Sequence, residues 1–145
     1  MYRAIQIARY IIDLCNREGN PVSNLELQKI LYFLQVYYMR RHDGLPLFED
    51  EICAWPYGPV VPDVYYTYNG YGGAVIRNSY DTSDVSNADR EALQEPILRL
   101  KQKGPWTLVD MSHKADGPWD VTYKDGMGNR KVINPGLLLT DTNKI

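Results

Sequence analysis

Apolar residues recur along this chain mostly at helical spacing, and one stretch, Val22 to Tyr38, is apolar almost all the way round. At about 100° per residue, Leu27, Ile30, Leu31, Leu34, Tyr37 and Tyr38 share one face, while Tyr32, Phe33, Val36 and Met39 cover most of the rest. A helix without a wide polar face is enclosed by its neighbours, so the pattern predicts a central helix over 23–41. Its start is well marked: Ser23 as cap, Glu26 as the return arm of a capping box, and Val22 placed to staple onto Leu27. Lys29 with Arg40 forms its one clearly solvated line. Gln28 and Gln35, seven apart between apolar rows, form a second polar line whose amides need partners, because a buried amide without one costs roughly 1–3 kcal/mol.

Other elements are expected on either side of it. Ile5, Ala8, Ile12 and Cys15 give a first helix over Tyr2–Glu18, ended by Gly19 and Pro21, and the four-residue link Gly19–Val22 makes the second helix fold back or cross close by. Gly44 can end the central helix. Glu51–Trp55 reads as a short strand, Pro56-Tyr57-Gly58-Pro59 as a fixed turn, and Val60-Val61 as its continuation. A short helix follows over Pro62–Tyr68. Residues 70–85, rich in Gly, Ser, Asn, Asp and Thr with little to pack, are expected to be the most mobile loop. A helix from Ser86 to Lys103 carries Leu93, Ile97 and Leu100, with Pro96 expected to kink or split it. Pro105–Ser112 is another short helix, 114–134 an irregular segment with a hairpin turn at Asp125-Gly126, and Gly136–Thr140 a last helical turn. The expected fold class is mainly α with a small β element (α+β): a compact single-domain helical bundle around the central helix 23–41, with a short strand or hairpin near 51–61.

Composition agrees with one domain. A chain of 145 residues, 44% hydrophobic, can bury about two-thirds of its unfolded surface in one core. No apolar run approaches the roughly 20 residues of a membrane span, and Met1–Gln6 lacks a signal-peptide core, so a cytoplasmic protein is expected. Charge is segmental: residues 1–41 hold six Lys/Arg against three acids, 42–100 three against ten, and 101–145 seven against five. The acidic middle argues against wrapping nucleic acid, which needs clustered cations, and suits a basic protein partner. Eleven of the seventeen aromatics fall between Tyr32 and Tyr71, a concentration that serves a core edge or a binding surface.

Candidate chemistry is sparse. Cys15 and Cys53 sit among apolar residues and read as reduced core thiols; with His42 and His113 they lack the close ligand pairs of a zinc site. No phosphate-binding glycine loop or nucleophile elbow occurs, so no catalytic residue, cofactor or metal is expected and the protein is not read as an enzyme. A hydrolase built on His113 is the remaining enzyme alternative. The stronger alternative is a DNA-binding transcriptional regulator, since helix, short link and helix have the outline of a helix-turn-helix; yet a recognition helix must offer polar and basic groups to base edges, and Leu27–Tyr38 does not. Trp55, Tyr57 and Trp119 can staple loops or anchor a partner, and His113 can brace a loop or contact a partner.

Leu27-Gln-Lys-Ile-Leu-Tyr-Phe33 with Gln35, then Ala54-Trp-Pro-Tyr-Gly-Pro-Val-Val-Pro-Asp-Val-Tyr65, then Met111-Ser-His113 with Gly117-Pro-Trp119, resemble in order and spacing the Panacea domain family of SocA-like, phage-associated proteins. The resemblance covers roughly residues 3–120, with a weaker echo at Val132–Leu139. Ser112-His113-Lys114 departs from the family's Thr-His-acid, and the family's final helix is expected to be shortened. The resemblance implies one Panacea-like domain over 1–145, acting as the antitoxin of a toxin–antitoxin pair. Such a protein neutralises a cognate toxin encoded nearby by binding it, in some relatives as an adaptor for a protease. Expected partner-binding residues are Gln28, Gln35, Trp55, Tyr57, Gly58, Pro59, Tyr65, His113 and Trp119.

Overall fold

The capping box forms as the sequence predicts: Ser23 Oγ accepts from Glu26 N at 3.3 Å and Ser23 N donates back to Glu26 Oε1 at 3.2 Å. The computed structural model describes all 145 residues. In it the chain runs α1 (Ala4–Arg17), α2 (Asn24–Arg41), β1 (Cys53–Trp55), β2 (Gly58–Val60), α3 (Pro62–Tyr68), α4 (Asn87–Lys103), α5 (Pro105–Ser112), α6 (Pro118–Tyr123) and α7 (Pro135–Leu138), with 3-10 turns at Asn69–Tyr71 and Lys124–Gly126. Helix α2 lies at the centre, in contact with α1, α3, α4, α5 and β2. Leu27, Ile30, Leu31, Phe33, Leu34 and Val36 have no exposed surface at all. The domain is α+β, and no helix is long and apolar enough to cross a membrane.

β1 and β2 form an antiparallel hairpin with Cys53 opposite Val60 and Trp55 opposite Gly58. Two strands alone are marginal in water; here a third segment supports them. Ala54 N donates to Lys131 O at 2.8 Å, Ile133 N to Ile52 O at 2.8 Å, and Cys53 bridges Val132. The segment expected to be irregular therefore returns to the sheet edge. Within it Gly117-Pro118 starts α6, with proline at the first helical position, and Asp125-Gly126 lies in a 3-10 turn instead of a hairpin.

Two further expectations are corrected. Helix α4 passes through Pro96 unbroken; the carbonyl that proline leaves unbonded belongs to Ala92, which is exposed to water. Residues 72–86 hold no helix, but they have more to pack than composition suggests: Ile76 and Val85 are wholly buried, and Ile76 N donates to Val22 O at 2.8 Å.

Glu26 also forms a buried ion pair with Lys101 at 3.0 Å, and Lys101 Nζ donates to Asn20 at 2.9 Å, tying α4 to the α1–α2 link. Midway along α2 the Tyr32 hydroxyl donates to Asp141 at 2.7 Å, and at its C-terminal end Arg40 reaches the carbonyls of Asp141 and Asn143. So enclosed, α2 presents no face that could enter a DNA groove.

Candidate functional site

The first half of α2 forms the floor of a groove of about 340 Å³, walled by Trp55, Tyr57, Val60, Tyr65 and Trp106. The least expected residue of the floor is Lys29. Read from periodicity as solvated, it is instead completely buried, its Nζ donating to Pro59 O at 3.0 Å. The hairpin turn and the end of α5 cover the α2 face that helical spacing alone leaves open to water. Its four-carbon stem packs like an aliphatic side chain. Burial lowers the amine's pKa from 10.5 to about 7. Arg40, by contrast, is exposed.

Gly58 explains how the turn comes so close. Its φ of +114° suits glycine alone, and a Cβ there would stand 2.6 Å from Ser112 Oγ and 2.8 Å from Lys29 Cε. The Ser112 hydroxyl is buried and donates to Val109 O at 2.8 Å. Pro59 supplies the carbonyl that accepts from Lys29.

Gln28 and Gln35 are buried and hydrogen-bonded through both their oxygen and their nitrogen. Gln28 accepts from Val61 N at 2.9 Å and donates to Asn24, whose amide donates to Tyr65 O. Gln35 accepts from Leu47 N and Phe48 N and donates to Phe48 O at 2.9 Å. Both hold irregular backbone onto α2, Gln28 beside the groove and Gln35 two turns away from it.

Behind the hairpin, the His113 ring stacks on Trp119 at 3.8 Å, and Trp119 stacks on Tyr123 at 4.6 Å. Trp119 Nε1 donates to Trp55 O at 2.8 Å, so this stack braces the strand that carries Trp55. Burial lowers the His113 pKa, a shift opposed by the nearby Tyr57 backbone and reinforced by the Lys29 charge. The ring is therefore neutral at pH 7, and its buried Nε2 has no hydrogen-bond partner.

Aromatic rings dominate the rim. Trp55 meets Tyr65 edge-on at 4.9 Å and Tyr66 at 5.8 Å, and the Arg130 guanidinium lies 4.4 Å from the Trp55 ring while donating to the Tyr66 hydroxyl. Tyr57 meets Trp106 edge-on at 6.0 Å. Tyr57, Tyr66 and Trp106 are 62%, 53% and 59% exposed, which is costly for large rings unless something covers them. Sequence reasoning passed over Tyr66, Trp106, Arg130 and the role of Lys29. Trp106 did carry a signal, lying about 115° away from the Leu108, Val109 and Ser112 stripe of its helix.

The site offers no activated nucleophile. Burial raises the thiols, Cys15 to about 11 and Cys53 less far, so both are neutral at pH 7. No three His, Cys, Asp or Glu side chains converge as a metal site would require.

Fold and groove together define a small helical α+β domain with an aromatic cleft over a buried amine. The chain belongs to the SocA-like Panacea antitoxins: the family model described as "Antitoxin SocA-like, Panacea domain" matches residues 27–120, a span that includes Lys29, the hairpin, Tyr65 and Trp106. It is 29% identical over 151 residues to "Antitoxin SocA" of Caulobacter vibrioides (strain NA1000 / CB15N), an alignment covering 96% of this chain and 77% of that protein. No solved structure matches it.

Proposed function

We propose that this chain neutralises a cognate toxin encoded nearby by binding it directly, without catalysis, through the groove between α2, the hairpin, α3 and α5. The observation that carries this reading is the pairing of Tyr57 and Trp106, both more than half exposed, on one cleft, with the exposed Tyr66 ring against its Trp55 wall, in a member of an antitoxin family. Tyr and Trp are the residues most enriched at binding hot spots. Trp55 and Tyr65 form the walls in this reading, Gly58 and Pro59 shape the turn, and His113 and Trp119 brace it from behind. Gln28 and Gln35 act as struts.

Co-expression with the product of the adjacent gene tests it. Cells making that product should survive only with this protein present, and the Tyr57→Ala/Trp106→Ala variant should fold but fail to rescue. Rescue undiminished in that variant would refute the groove as the contact. Delivery to a protease is separated from blocking by the toxin's half-life: it shortens when the antitoxin acts as an adaptor and is unchanged or longer when the toxin is simply held.

A further inference from the structure

A buried ammonium has three donors to satisfy, and Lys29 has one partner, the Pro59 carbonyl. Such a charge needs an anion beside it, and this chain supplies none. Glu26, one turn earlier on α2, is paired with Lys101. From the end of α5 the group that faces Lys29 is His113, whose charged form Lys29 disfavours, and from the hairpin it is the Pro59 carbonyl. None of the residues lining the groove is acidic, although the middle segment of the chain is. The counter-charge is thus missing on the floor of a cleft whose other lining residues are all uncharged, with Asn24, Gln28 and Asn69 among the apolar and aromatic ones.

We infer that the groove takes an Asp or Glu side chain of the toxin, presented between apolar neighbours, and pairs its carboxylate with Lys29. The inference rests on the reading that the toxin docks in this groove, and it adds the chemistry of the docked residue. One positive charge at the floor matches one carboxylate. The aromatic rim covers the apolar residues on either side of it and excludes water, which strengthens the pair. The two N–H donors that Pro59 O does not take are the ones the carboxylate accepts from, so the hairpin keeps its hold on α2. Since the amine is about half protonated near pH 7 in the free protein, binding draws a proton from solution.

This gives a readout that an ordinary apolar contact would not move. If only the ammonium form binds, apparent affinity follows the protonated fraction, and Kd for the purified adjacent-gene product should rise roughly fifty-fold from pH 7 to pH 9. His113, already neutral across that range, contributes little. Calorimetry at pH 7 to 8 in buffers of different ionisation enthalpy should register uptake of part of a proton. The Lys29→Met variant should bind at least tenfold more weakly at pH 7 and lose the pH dependence. One Asp→Asn or Glu→Gln change in the toxin should reproduce that loss, while Trp106→Ala should weaken binding equally at both pH values. Affinity unchanged from pH 7 to 9, or a pH dependence that survives in a folded Lys29→Met protein, overturns the carboxylate inference and leaves groove binding standing. Failure of the wild-type protein to bind the toxin at either pH overturns the proposed function itself.

Discussion

Replacing Lys29 by methionine isolates the energetic consequence of burying an amine under the hairpin. Between pH 7 and pH 10.5 the unfolded chain holds a proton on Lys29 that the folded chain has largely released. Stability therefore rises with pH over that interval, because the unfolded state binds more protons, and it levels off below pH 7, where both states are charged. With pKa values of 10.5 unfolded and about 7 folded, the burial penalty is about 4 kcal/mol at pH 7 and about 2 kcal/mol at pH 9.

Methionine removes that penalty and leaves the Pro59 carbonyl without its donor, at a cost of about 1–3 kcal/mol. The variant should therefore be more stable than wild type by about 1–3 kcal/mol at pH 7, and the advantage should shrink by about 2 kcal/mol at pH 9. Urea unfolding of both proteins at pH 7, 8 and 9 measures the difference directly. The buried tyrosines Tyr10, Tyr32 and Tyr68 have raised pKa values, so they stay neutral across this range in the folded protein. Two curves that run parallel from pH 7 to 9 would refute the argument, since a lysine in contact with water has no burial penalty to lose.

Other perturbations test separate parts of the structure. Gly58→Ala should destabilise by roughly 2–4 kcal/mol through positive φ and the close approach to Ser112 and Lys29, whereas Gly19→Ala, at φ +70° in open space, should cost only about 1 kcal/mol in the same thermal melts. Trp106→Ala and Tyr57→Ala, at largely exposed positions, should each leave Tm within a degree or two and weaken toxin binding by more than tenfold in titration. Asp141→Ala strands the Tyr32 hydroxyl and should cost about 1–3 kcal/mol; adding Tyr32→Phe should recover part of it, because no orphaned donor then remains.

Much of the fold was legible where one local rule decided the outcome. The box at Ser23 and Glu26 set the start of α2, and Pro62 and Pro105 each opened a helix at its first position, as their fixed φ favours. The same rule at Pro118 was overlooked, because Gly117 and the acids around it read as loop. Tertiary pairing was not legible: nothing near Val132 announces that it lies beside Cys53. The site was half legible. Trp55, Tyr57 and Tyr65 stood out as aromatics in a rigid turn and a short helix, but Trp106 joins them from forty residues away. Lys29 was misplaced because charge outweighs stem length in any pattern of polar and apolar positions, and one backbone acceptor with a covering turn reverses that weighting.

The inward polar side chains of α2 share a task that bears on binding. Gln28 holds Val61, Lys29 holds Pro59, and Gln35 holds Leu47 and Phe48, so the irregular chain between α2 and α3 is fixed at three points to the most enclosed helix of the domain. Trp119 adds a fourth point through the carbonyl of Trp55. A hairpin of three residues per strand cannot hold its own position; side chains from a buried helix can, and they leave no rotamers to freeze when a partner arrives. Aromatic anchors fixed this way bind at a lower entropic cost than anchors on a free loop. Gln28→Ala should therefore weaken toxin binding without a contact being lost, because it releases the wall of the groove and not its surface.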